Sequence, residues 1–127
     1  MNSSDYEKMP YHCKNIVTKH DKTWGYELWV CNSEKYCGKL LHFNAGKSLS
    51  FHYHRIKTET FYLHSGKLTV QLRDKQANDT FVELLPGDSL HIPPGQMHRI
   101  TAIEDSDLFE FSTEHQEWDS YRIERSK

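Results

Sequence analysis

Residues 52 to 59 read HYHRIKTE, and the types and spacing of His52, His54 and Glu59 could hold a metal ion. Side chains of a β-strand alternate between its two faces. If SLSFHYH (48–54) is a strand, Ser50, His52 and His54 share one face, and Leu49, Phe51 and Tyr53 share the other. Two imidazoles at that spacing point the same way, near enough to share one ion. Glu59 begins the next apolar segment and can return across the loop RIKT (55–58). A third imidazole, His98, opens a later strand just after PPGQM. Three imidazole nitrogens and one carboxylate oxygen suit a borderline divalent ion: Fe, Mn, Ni, Co, Cu or Zn. Calcium and magnesium prefer oxygen ligands and are disfavoured by the imidazoles.

The segments that must position these groups read as strands. WGYELWV (24–30), KLLHF (39–43), SLSFHYH and ETFYLHSGKLTVQLR (59–73, broken at Ser65-Gly66) come first. FVELL, DSLHI, MHRITAI and DSDLFEFSTE (105–114) follow. Turn signals separate them: NAGKS, DKQANDT, Pro86-Gly87 and Pro93-Pro94-Gly95. The last of these makes a rigid corner that aims His98 inward. No helical period is sustained anywhere, and HQEWDSYRIERSK (115–127) reads as a short helical or irregular tail. The expectation is one all-β antiparallel domain, with an N-terminal arm (1–23), a barrel (24–114) and the tail (115–127). Phe61, Leu63, Phe109 and Phe111 are expected to line the cavity. His64 and His91 are expected to face away from it.

Composition bounds the function. A chain of 127 residues suggests one domain. The net charge is −2 with both signs interspersed, and without a basic stripe nucleic acid is not an expected partner. No run approaches the ~20 apolar residues of a membrane span. The start MNSSDYEKMPYH has no signal-peptide core. Cys13, Cys31 and Cys37 cannot all pair within one chain and form no CxxC, which points to free thiols in a reduced, cytoplasmic compartment.

Wider spacing carries a resemblance. Gly46 is followed by five residues, His52, Tyr53 and His54, four residues, Glu59, six residues and Gly66. Gly87 is followed by five residues, Pro93, Pro94 and Gly95, two residues and His98. These two blocks resemble the paired signature motifs of the cupin family over about residues 24–114. Ala102 stands where that family often has Asn, at a position that is not a metal ligand. The resemblance implies a double-stranded β-helix, the jelly-roll barrel. It also implies one divalent transition metal (Fe, Mn, Ni, Co or Zn) held inside by His52, His54, Glu59 and His98.

WGYELWV, SLSFHYHR with Lys57 and Glu59, and the closing EFS and DSYRIE further resemble the cupin-type phosphomannose isomerases. That family commonly has Gln where His52 stands, and its closing loop is longer. The resemblance implies aldose–ketose isomerisation of a sugar or sugar phosphate. In that reading Glu59 doubles as ligand and catalytic base, or a Tyr or His lining the cavity serves as the base, and Lys57 and Arg122 bind substrate at the barrel mouth. The same ligands also suit an Fe(II)-dependent dioxygenase, a lyase or epimerase, or a non-catalytic sugar-binding or small-ligand-binding cupin. Exposed sheet edges invite pairing, so a homodimer is expected, with the N-terminal arm and WGYELWV exchanged across a two-fold axis.

Overall fold

The computed structural model describes residues 17–127. Its strands are β1 (Thr18–Lys22), β2 (Gly25–Asn32), β3 (Cys37–Phe43), β4 (Phe51–Tyr53), β5 (Glu59–Ser65) and β6 (Leu68–Arg73). They continue as β7 (Asp79–Leu84), β8 (Ser89–Ile92), β9 (Met97–Ala102), β10 (Ser106–Ser112) and β11 (Tyr121–Glu124). A six-stranded sheet runs β1-β2-β3-β10-β5-β8, and a five-stranded sheet runs β11-β4-β9-β6-β7. All the pairings are antiparallel. Two such sheets make the expected jelly roll.

Alternation builds each strand. Along β3, Cys37, Lys39, Leu41 and Phe43 are buried while the residues between them are half-buried. One end of the space between the sheets is closed by Leu41, Phe43, Leu63, Leu68, Val70, Ile100 and Leu108, an apolar cluster that fixes the barrel. The other end is polar and holds the cavity. Two glycines are required by geometry. A side chain at Gly25, where φ is +151°, would meet the carbonyl oxygen of His42 at 1.8 Å. One at Gly66, where φ is +94°, would meet Ser106 Oγ at 2.2 Å. Next to Gly25, Trp24 stacks on Phe43 with ring centroids 4.5 Å apart.

Three expectations change. Residues 18–22 of the expected arm form a hairpin with β2, so β2 lies between β1 and β3 within its own chain and is not a free edge for exchange. The remainder of the arm, 1–16, lies outside the described residues. The tail holds a short 3-10 turn (Glu117–Asp119) and then a strand, β11, which pairs with β4. Finally, Leu108 and Glu110 take the buried face of β10, which turns Phe109 and Phe111 outward, Phe111 being 57% exposed.

Candidate metal centre

The three imidazoles come from two adjacent strands and the loop after one of them. His52 on β4 and His98 on β9 are direct cross-strand partners. His54 ends β4. Their ring centroids lie 4.5 Å (His52–His98), 4.9 Å (His52–His54) and 6.1 Å (His54–His98) apart. One ligand atom from each lies within 4.8 Å of the others.

Each ring is oriented by a backbone carbonyl, which can only accept a hydrogen bond. Nδ1 of His52 donates to Ser50 O at 2.7 Å, that of His98 to Gln96 O at 2.8 Å, and that of His54 to Asp119 O at 2.5 Å. The proton therefore sits on Nδ1 in all three, and each Nε2 lone pair is left for a ligand. Burial holds His52 well below the usual imidazole range, and the neighbouring His98 adds to the effect. Burial lowers His98 as well, against the opposing pull of its bond to Gln96.

Glu59, the first residue of β5, reaches in from the opposite sheet. Its Oε1 lies 3.6 Å from His54 Nε2 and its Oε2 lies 3.5 Å from His98 Nε2. Among the described residues Oε2 is buried without any hydrogen-bond partner. The carboxylate oxygens and the Nε2 atoms of His54 and His98 thus face each other beyond hydrogen-bond distance. Such an arrangement is costly unless a cation fills it. The four expected ligands fit a divalent ion on this ground.

Beside them runs a buried ionic network that the sequence reading left out, apart from Lys57. Lys57 does not stand at the barrel mouth. It is 3% exposed, with Nζ 2.7 Å from Glu110 Oε2 and 3.2 Å from Glu59 Oε1. Nδ1 of His115 lies 3.1 Å away and serves as a further acceptor. Burial alone would drive the Lys57 proton off, but Glu110 and then Glu59 outweigh it and raise its pKa. Burial likewise pushes Glu110 up, but Lys57 and Lys39 overcome it and hold the carboxyl at about 2. In Glu59 burial and the charge of Glu110 prevail, and its pKa is raised. His115 falls to about 4 through burial and the charges of Lys39 and Lys57.

The tail closes one side of the site. The Asp119 carboxylate accepts backbone N–H bonds from Arg55 (2.8 Å), Ile56 (3.2 Å) and Lys57 (3.0 Å). Arg99 is buried and holds the tail, donating to Leu49 O, Glu124 Oε2 and Arg125 O. Arg122, the cross-strand partner of His52, is exposed and lines the cavity mouth. The cavity measures about 710 Å³ and is lined by Phe61 and by charged groups of both signs. Lys39 could have been found from sequence, because alternation from Leu41 puts it inside, whereas the two faces of β10 were equally plausible and left Glu110 undecided. His115 and Asp119 carry no such signal.

A two-sheet barrel with three converged imidazoles and a facing carboxylate defines a metal-binding jelly roll. The Cupin domain family model matches residues 39–111, more than half of the chain, and the protein belongs to the cupin family. A tryptophan-to-tyrosine variant of oxalate decarboxylase from Bacillus subtilis superposes with a TM-score of 0.76 at 20% identity, covering 85% of this chain. An arginine-to-alanine variant of the same enzyme gives 0.77 at 19% identity over 85%. This chain spans 30% of the length of those structures. At such identity the likeness establishes the fold alone. Comparison with curated proteins finds no match.

Proposed function

We propose that this cupin is a metal-dependent enzyme that interconverts an aldose and a ketose, with a sugar or sugar phosphate as substrate. The observation that supports this reading is the Lys57 ammonium, held between Glu59 and Glu110 in the cavity wall beside the imidazoles. Isomerisation moves a proton between adjacent carbons and develops charge on an oxygen. A divalent ion bound by His52, His54, His98 and Glu59 supplies Lewis acidity toward that oxygen. Related solved structures of oxalate decarboxylase have Mn(II) centres, which supports one divalent ion of that kind here.

The remaining work falls to the chain's own side chains. Glu59 would help hold the ion, and its Oε1, 3.2 Å from Lys57 Nζ, would take up the migrating proton. Lys57 stays protonated and donates to the substrate oxygen, and Glu110 stays ionised and keeps it so. Arg122, at the mouth, meets a phosphate.

The protein acts as a homodimer in this reading. Leu28, Leu40, Phe109 and Tyr62 form one cross-strand row on the outer face of the six-stranded sheet, a surface suited to a second copy. Cys31 and Cys37 are free thiols, which accords with a reducing compartment. Among the described residues no helix is long and apolar enough to cross a membrane.

The test is the metal-loaded full chain with mannose 6-phosphate in D2O, without oxygen. Deuterium entering the product ketose at the migrating position supports the proposal. Fe(II)-dependent oxygen uptake without interconversion replaces it with a dioxygenase. Metal content that stays equal in wild type and a His52→Ala, His54→Ala variant removes its basis.

A further inference from the structure

Two buried side chains in the cavity present polar atoms that make no hydrogen bond among the described residues. One is Glu59, whose Oε2 faces the imidazoles. The other is Lys39, with a side chain only 2% exposed. Its ammonium lies 3.6 Å from Glu27 Oε1 and 4.2 Å from the centroid of the Trp29 ring. The first distance is beyond hydrogen-bond reach, and that oxygen already accepts from Trp29 Nε1 at 2.8 Å. An ammonium carries three N–H donors, and in the cavity these remain available to a ligand. Lys39, Glu27 and Trp29 all line the cavity.

Strand register places this spot along the wall from the metal cluster. Trp29, Lys39, Glu110 and Phe61 are successive cross-strand partners on β2, β3, β10 and β5. Glu59 lies on β5, and β10 separates β5 from β3. Neighbouring strands are about 4.8 Å apart, so the strands that carry Lys39 and Glu59 stand roughly 10 Å apart. An open-chain sugar spans such a gap.

The chemistry of the pair selects the ligand. Lys39 offers donors, and Glu27 offers an acceptor a few ångströms away. Adjacent hydroxyls can accept from the first while donating to the second. A carboxylate or phosphate has acceptors only and would meet the negative charge of Glu27. We propose that Lys39 and Glu27 form a subsite for a vicinal diol, binding the hydroxyl-bearing end of the substrate that lies remote from the metal cluster. This rests on the reading of the cavity as a sugar site, yet the diol contacts themselves need no ion.

The experiment uses the full chain stripped of metal. It is titrated with D-mannitol, which has vicinal diols but neither carbonyl nor charge, and with malonate, which has two carboxylates. Binding is read by saturation-transfer NMR on the ligand protons. Mannitol binds the wild type, and Lys39→Met and Glu27→Gln each weaken it about tenfold or more. Both variants keep the wild-type metal stoichiometry on reloading, so loss of the diol is not loss of the ion. If Lys39→Met does not fold, Glu27→Gln carries the test, because its side chain is 15% exposed. Absence of mannitol binding to the wild type, or binding unchanged in Glu27→Gln, overturns the proposal. So does malonate binding that is lost in Lys39→Met and strengthened in Glu27→Gln. Mannitol binding of the expected pattern in a chain that takes up no metal refutes the metal-dependent isomerase and leaves the diol subsite standing.

Discussion

Replacing Lys57 by Met keeps the stem of the side chain and deletes the ammonium that lies 2.7 Å from Glu110 and 3.2 Å from Glu59. In the metal-free protein two buried carboxylates would then face each other without a cation. Breaking a buried pair in this way typically costs about 3–5 kcal/mol. Proton uptake caps the penalty. A carboxyl with an ordinary pKa of 4.5 is protonated at pH 7 for about 3.4 kcal/mol, at 1.36 kcal/mol per pH unit. The variant is therefore expected to lose about 3–4 kcal/mol at pH 7. Its folded state then holds a carboxyl proton that its unfolded state lacks, so the deficit shrinks by about 1.4 kcal/mol per pH unit on acidification toward pH 5. Adding Glu110→Gln removes the stranded charge and recovers most of the loss. The assay is urea unfolding of chelator-treated protein followed by tryptophan fluorescence at several pH values. A loss below about 1 kcal/mol at pH 7 with no pH dependence would refute the view that Lys57 is the counter-ion of this wall.

Glu59→Gln leaves the barrel folded but lowers metal affinity by an expected tenfold or more, seen in bound metal per chain after dialysis. Acid weakens the metal-free wild type. His115 titrates near 4 when folded and near 6.5 when unfolded, so between those values the unfolded chain holds the extra proton. Stability is complete above about pH 6.5 and is lost as pH falls toward 4, and His115→Asn flattens that slope in a pH series of unfolding curves. Asp119→Ala strands the N–H groups of Arg55, Ile56 and Lys57. It should cost about 2–4 kcal/mol and speed hydrogen exchange of those amides. Gly66→Ala forces a side chain onto Ser106 at a positive φ, and a fall in melting temperature of several degrees is expected.

Alternation and punctuation in the sequence determined the barrel and the convergence of His52, His54, Glu59 and His98 within it. A strand's faces follow from its period of two, so His52 and His54 had to point together once β4 was a strand. The prolines and Gly95 fixed the turn that presents His98, and Glu59 followed from a short loop. Tertiary structure decided what the local pattern left degenerate. In Leu108–Phe109–Glu110–Phe111 both faces are plausible cores by hydrophobicity, and the aromatic-rich one was the wrong choice. Glu110 goes inside because Lys57 meets it there, a partner more than fifty residues away in the chain. Lys57 itself sits in a loop with no period, and its inward course is set by Asp119 binding the loop's N–H groups from the far end of the chain. Lys39, Glu27 and Trp29 become neighbours only through the register of β2 against β3. A face can be read from one strand at a time, whereas charge pairing across strands exists only after the sheets have closed.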